Sequence, residues 1–416
     1  MNKAHVHLSD IKGYSQLAIE ATLGVISVVE DMHHTIIQLP LPFGNVRPKS
    51  ARGFYGVVDL LLKCTSGQVY NALRGVMNIV GDGATAALDY LQPDLTHQDS
   101  SRRRDAIISI LNGVLGDYMS AHGNPLVINA SFRRNGKVLK LAQESLTGTI
   151  TQPSGKIMVM LHGHCMNELQ WCRNGHNHGE VLAAANDYTP VYLRYNSGLH
   201  ISENGQLFSR LLDELVTNWP VPVEEVCVFG YSMGGLVARS AFHYGEKADH
   251  SWLQYVRKIL FVGTPHHGSM LEQAGNVLDK VLEISPYSHA LSRIGKIRSA
   301  GTTDLRHGNL IDEDWVGQNR FAHTSDQRQV SQLPQNVKCY AISAMISKKH
   351  SKIHGQFVGD GTVPLKSALG QHRDKKRALN FPLGRQRVFY GMNHLQLLDS
   401  KKVCAQLQEW IASTDG

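Results

Sequence analysis

The chain has 416 residues, enough for one large domain or two ordinary ones with a substantial buried core. At 42% hydrophobic and 19% charged residues, with no low-complexity tract, the composition excludes a disordered or fibrous protein. The net charge of +7 favours anionic surfaces only weakly, and no run of about 18 apolar residues is present to cross a bilayer.

Residues 1–34 lack a secretory layout, because the apolar stretch 17–29 is broken by Glu20 and has no basic leader directly ahead of it. Six cysteines (Cys64, Cys165, Cys172, Cys227, Cys339 and Cys404) are scattered, and Cys227 lies in an apolar run that reads as a buried strand. A free core thiol there and a reduced, cytoplasmic setting are the expectation. Up to residue 123 the apolar residues recur at helical spacing. Leu17, Ala21, Leu23, Val25 and Val28 form one such set, Phe54, Val57, Val58, Leu61 and Leu62 a second, and Leu73, Val76, Met77 and Val80 a third. A fourth helix is expected from Arg103 through Ile107, Ile110, Leu111, Val114 and Leu115. This divides the chain into a helical N-terminal region, 1–123, and a second domain, 124–416.

The second domain has the rhythm strand, loop, helix. Residues 126–132 and 138–141 flank Asn135-Gly136, which supplies the two φ > 0 residues of a type I′ hairpin turn. Short apolar runs follow at 157–161, 191–193, 226–229, 259–262, 337–342 and 388–390, suited to parallel strands covered on both faces. The expected fold class is α/β: a mostly parallel, doubly wound sheet with an initial hairpin. The connection 268–336 is far longer than usual, and Met270, Leu271, Ala274, Val277, Leu278, Val281 and Leu282 run along it as a helical stripe. It is expected to be a cap or lid over the catalytic end of the sheet.

The chemistry centres on Gly230-Tyr231-Ser232-Met233-Gly234, which follows the strand 226–229 and precedes a helical pattern from Leu236. That context makes Ser232 the expected nucleophile, held on a tight strand-to-helix turn with glycines on both sides for close backbone approach. Such a serine needs a base and an orienting acid, following in that type of sheet in the order serine, acid, histidine. Asp360, in the glycine-rich loop Gly359-Asp360-Gly361-Thr362, is the candidate acid, and His394, just past the last strand, the candidate base. The tetrahedral intermediate requires two backbone N–H donors, expected from Met233 and from His164 in the loop after strand 157–161. His162, Tyr231, His266 and His267 are candidates to line the substrate pocket.

His162-Gly163, the turn at Ser232, Gly263-Thr264-Pro265-His266-His267-Gly268, Asp360-Gly361-Thr362-Val363-Pro364 and His394 together resemble the lipase and esterase branch of the α/β-hydrolases. The likeness is closest to the GPI inositol-deacylase-like hydrolases and their bacterial esterase/lipase members. Arg194-Tyr195-Asn196-Ser197-Gly198-Leu199-His200-Ile201 is similar to that bacterial subgroup, and the resemblance spans roughly residues 125–412. It implies hydrolysis of a carboxylic ester or lipid through a serine acyl-enzyme, without metal or organic cofactor. The eukaryotic deacylases are membrane proteins and this chain has no such spans, so inositol deacylation is not carried over.

Other readings compete at particular positions. Cys172-x3-His176-x-His178 has zinc-type ligands, yet the spacings of ordinary zinc sites are absent, so no metal is expected. The basic loop 348–354 could draw an anionic ester or headgroup, while no stacking platform or groove favours nucleic acid. The N-terminal helices are read first as packing on the core, with peripheral membrane contact through them or the lid as the alternative. For the whole protein the alternatives to an esterase are an acyltransferase using the same triad and a non-catalytic binding scaffold. Oligomeric state, acyl chain length and the alcohol half of the substrate are not encoded in these patterns.

Overall fold

A computed structural model of the chain describes residues 98–269, 298–322, 325–348 and 359–413, without the side chains of 98–103 and 107. The three helices expected before residue 98, the stripe from Met270 to Leu282 and most of the basic loop 348–354 lie outside the described residues. Helix α1 (Gln98–Ala121) contains the fourth expected helix and leads into the hairpin of β1 (Ser131–Arg134) and β2 (Lys137–Val138). Asn135 and Gly136 take φ values of 51° and 73°, the left-handed pair that the turn requires.

The first hairpin strand starts later than expected, because the backbone at residues 126–128 bonds to α1 instead. Asn112 on α1 donates through Nδ2 to the Leu126 carbonyl at 2.8 Å and accepts the Ile128 N–H at 2.9 Å. Those backbone groups are thereby taken from the sheet ladder, and Leu126 packs with Ile108, Leu111 and Met119.

The remaining strands are β3 (Lys156–Leu161), β4 (Thr189–Arg194), β5 (Glu225–Tyr231), β6 (Val256–Val262), β7 (Lys338–Met345) and β8 (Gln386–Tyr390). All six apolar runs are strands, in the order β2-β1-β4-β3-β5-β6-β7-β8. β1 is antiparallel to both of its neighbours, and β4 through β8 run parallel. This is the α/β-hydrolase sheet. The central strands β3 to β7 are largely apolar because both faces are covered. Ile157, Val159 and Leu161 of β3 pack with Phe208, Leu212 and Leu236 on one side, whereas Met158 and Met160 pack with Leu182, Leu407 and Trp410 on the other. The first group meets α4 (Ile201–Thr217) and α5 (Met233–Ala248), and the second meets α3 (His178–Asn186) and α8 (Lys401–Ala412). A short α2 (Gln143–Thr149) joins the hairpin to β3. The chain steps from β3 outward to β4, then returns to place β5 on β3's other side, and that reversal opens the crevice at the carboxyl ends of the strands.

The described part of the long connection is docked rather than free-standing. Ser299 Oγ donates to the Gly113 carbonyl of α1 at 2.6 Å, and Ser240 Oγ of α5 donates to the Leu310 carbonyl at 2.6 Å. Its one-turn helix α6 (Ala300–Asp304) begins at the Ala300 N–H, which donates to Asp117 of α1. No helix among the described residues is long and apolar enough to cross a membrane.

At the end of β4, Arg194 is buried and forms a bidentate pair with Glu168, while its Nη2 also reaches Asp105 of α1 at 2.8 Å. This network ties three separate segments together in a place water hardly reaches. Arg194→Met strands the Glu168 carboxylate and should lower stability by about 3–5 kcal/mol, with Arg194→Met/Glu168→Leu recovering most of the loss. Urea unfolding of the three proteins checks this, and an unchanged midpoint for the single variant would contradict it.

Candidate active site

Ser232 stands between the last residue of β5 and the first of α5, at φ 52° and ψ −124°. A non-glycine residue adopts that conformation only when its surroundings impose it. Here they do. A Cβ at Gly230 would sit 2.5 Å from the Gly235 Cα, and one at Gly234 would sit 2.3 Å from the Leu161 carbonyl oxygen. The Ser232 N–H donates to the Val262 carbonyl at 2.9 Å, locking the turn to the end of β6. The side chain stays slightly open to solvent, at 9% exposure.

Asp360 and His394 come from the loops after β7 and β8 and are both buried. Oδ1 of Asp360 accepts the N–H groups of Thr362 and Val363 at 3.0 and 2.8 Å, which orients the carboxylate. Oδ2 accepts from His394 Nδ1 at 2.6 Å, and the His394 N–H donates to the Asp360 carbonyl at 3.1 Å. With the proton on Nδ1, Nε2 carries the lone pair. It is buried and has no hydrogen-bond partner among the described residues. The ring lies against Gly263, where a Cβ would come within 2.8 Å of Cε1, and Tyr231 beneath it donates from its hydroxyl to the His394 carbonyl at 3.0 Å. Ser232 is bonded to the end of β6 and the His394 ring lies against Gly263, the next residue after β6, while no serine–imidazole hydrogen bond is formed. Such bonds often tighten only when substrate is bound.

The loop after β3 passes over Ser232, and a Cβ on Gly163 would lie 3.1 Å from the Ser232 Cβ. The Cys165 N–H donates to Ser197 Oγ at 3.0 Å and so is not free to serve an oxyanion. The His164 ring points away: Nδ1 donates to the Ser197 carbonyl at 3.2 Å and Nε2 lies 3.1 Å from Thr302 Oγ1. The Met233 N–H opens α5 and has no helical carbonyl behind it.

His162, Tyr231 and His266 are buried in internal contacts, whereas His267 is partly exposed and lines a small cavity with Arg239, Gly308 and Arg328. His162 is fully buried, stacked on Tyr195 at 4.2 Å, with Nδ1 donating to the Gly163 carbonyl and Nε2 accepting the Tyr195 N–H. His266 and His267 follow β6 and pack among arginines. Arg239 Nη1 approaches His266 Nδ1 at 3.4 Å, and Arg328 Nη2 donates to His267 Nδ1 at 3.2 Å. Arg239 itself lies on α5 and donates to the Ser331 carbonyl at 2.6 Å; burial, with Arg328 nearby, brings its guanidinium down to about 9.

Sequence reasoning missed the supports. Ser197 holds the loop after β3, and Gly113 of α1 lies so close to it that a Cβ would meet the Cys165 Cα at 2.9 Å. The signal for Gly113 was a glycine amid an apolar helical stripe, which usually marks close packing.

Burial drives the His162 and His267 imidazoles down from 6.5 to about 3, and takes His266 well below its usual range; Arg328 adds to the effect on His267 and Arg239 to that on His266. Between pH 3 and 6.5 the unfolded chain therefore binds more protons at these positions than the folded one. Stability should be complete above the unfolded value and fall as the pH drops toward the folded ones. The urea midpoint is expected to be lower at about pH 5 than at about pH 7, with a shallower loss in His267→Gln. Equal midpoints at the two pH values would rule this out.

Residues 196–345, from the loop after β4 to the end of β7, match the family model of the PGAP1-like alpha/beta domain. A comparison with curated proteins finds no match. Among solved structures, the chain is similar to the mature form of the lipase BlEst2 from Bacillus licheniformis, with 17% identity over 62% of this chain and 94% of that one and a TM-score of 0.40. It is also similar to an esterase from Pyrobaculum calidifontis, with 12% identity, coverages of 63% and 76%, and a TM-score of 0.35. A putative esterase from Staphylococcus aureus has 12% identity, the same two coverages and a TM-score of 0.36.

Proposed function

We propose that the protein is a serine hydrolase that cleaves carboxylic esters through an acyl-enzyme on Ser232. The observation that carries this reading is the Asp360–His394 pair: the carboxylate fixes the Nδ1 proton and leaves Nε2 bare and unpartnered at the strand ends where Ser232 sits.

In this reading Ser232 Oγ attacks the ester carbonyl carbon as its proton passes to His394 Nε2. The imidazolium formed is stabilised by Asp360, which remains ionised throughout. The carbonyl oxygen takes up negative charge and is met by the N–H groups of Met233 and His164, aimed before the reaction starts. The C–O bond to the alcohol then breaks, and His394 returns the proton to the leaving oxygen. Water enters, loses its proton to Nε2 and attacks the acyl carbon, and collapse releases the acid and restores Ser232. The close packing of Gly113 on Cys165 supports a positioning role for α1, since it holds the loop that presents the His164 N–H.

A nitrophenyl ester series of increasing acyl length tests the reading and sets the chain-length preference. Ser232→Ala should lower kcat by roughly 10⁴- to 10⁶-fold and Asp360→Asn by about 10⁴-fold, each with the fold retained. Undiminished hydrolysis by Ser232→Ala would overturn the mechanism.

A further inference from the structure

The loop between the 3-10 turn Glu168–Trp171 and α3 meets the C-terminal helix at a place the ester chemistry does not use. Arg173 and His176 exchange backbone hydrogen bonds of 2.9 Å across Asn174 and Gly175, which take φ values of 49° and 73°. Arg173 Nε and Asn174 Nδ2 both donate to Asp399 Oδ2, at 3.1 and 2.5 Å, so the turn is pinned to the segment just ahead of α8. This sets His176 Nε2 2.7 Å from His178 Nδ1. One ring nitrogen of each histidine and Cys404 Sγ, on α8, all lie within 4.8 Å of one another. His178 and Cys404 are buried and His176 is partly so.

The tautomer of His178 is determined by its other nitrogen. Nε2 lies 2.9 Å from the Leu397 carbonyl, which can only accept, so Nε2 carries the proton and the Nδ1 lone pair accepts from His176 Nε2. A backbone carbonyl holding the far N–H is how proteins orient an imidazole that binds a metal through its near nitrogen.

We propose that His176 Nε2, His178 Nδ1 and Cys404 Sγ bind a single Zn²⁺ ion. Two imidazoles and a thiolate suit zinc and exclude the oxygen-seeking magnesium and calcium. Tetrahedral zinc, at about 2.0–2.1 Å from nitrogen and 2.3 Å from sulfur, spaces its ligand atoms about 3.3–3.6 Å apart. The group already lies within 4.8 Å, and the least buried member, His176, has only to draw back from its 2.7 Å contact. Binding releases the Cys404 thiol proton to solvent, and the His176 proton moves from Nε2 to Nδ1 by exchange with water, leaving a site of net charge +1 with a water in the fourth position. Cys172, which shares a short sequence motif with the two histidines, is exposed and is not part of the group.

The ion would clamp the 173–178 turn to α8 across the segment that follows His394. The Leu397 N–H donates to the His394 carbonyl at 3.2 Å while the Leu397 carbonyl accepts from His178, so the clamp and the His394 loop share one residue. This is a structural site, and it stands whether or not the chain hydrolyses esters.

The test is titration of the full-length, reduced, chelator-stripped protein with Co²⁺, followed by displacement with Zn²⁺. The expected result is one equivalent of Co²⁺ with a thiolate-to-metal charge-transfer band, reversed by Zn²⁺. The band should disappear in Cys404→Ser and persist in Cys172→Ser. Should Cys404→Ser fail to fold, His176→Gln decides, because its side chain is partly exposed. Its affinity should fall by more than the roughly 10- to 100-fold that loss of an outer-shell partner costs. Absence of the band, its survival in folded Cys404→Ser, its loss in Cys172→Ser, or an unchanged affinity in His176→Gln would each overturn the proposal.

Discussion

The catalytic end of this sheet depends on how closely the backbone at the Ser232 turn approaches its neighbours. Gly234 lies against the end of β3, and Gly235 packs so tightly on Thr264 that a Cβ would fall 2.0 Å from its hydroxyl. The strained φ of Ser232 is the consequence, and so is the placement of three loops around one point. The loop after β3 lies on the serine, the loop after β6 lies behind it, and Gly263 in that second loop sets the position of the His394 ring. A side chain at any of these glycines would push apart groups that the chemistry needs together.

Around that point the protein spends buried polar groups on holding loops. Asp360 uses one oxygen on backbone N–H groups and the other on His394, so its orientation is fixed before any substrate arrives. Ser197 binds the Cys165 N–H and the His164 ring, and Arg328 binds the carbonyls of His266 and Gly308. Helix α1 belongs to the same system. Through Asn112, Gly113, Gly116 and Asp117 it touches the hairpin approach, the loop after β3, the loop after β4 and the 298–304 segment. The preorganisation the proposed mechanism asks for therefore rests on a helix that carries no reacting group.

How much of this the sequence disclosed varies with the kind of signal. The parallel strands were legible because those covered on both faces carry short runs of apolar residues, and the turn at Asn135-Gly136 because such residues accept its two positive φ values. The pairing of Asp360 with His394 was legible through their places at strand ends, and the structure brings the two into contact. The hairpin length was not, since Asn112, far back in α1, takes the backbone groups of residues 126–128. The burial of His162 and His266 was not legible, because a sequence gives residue type and loop, whereas that burial follows from an arginine and a tyrosine on other elements. The group at His176, His178 and Cys404 was hidden for the same reason: its sulfur comes from the C-terminal helix and not from the nearby Cys172.

The proposed hydrolysis rests on activation of Ser232 as a nucleophile by the Asp360–His394 pair. The most direct measurement is intact-mass and peptide analysis after reaction with a fluorophosphonate, which traps an activated serine as a stable adduct. One adduct per chain is expected, on Ser232, forming far more slowly in His394→Ala. An adduct on another residue, no adduct at all, or undiminished labelling of His394→Ala would contradict it.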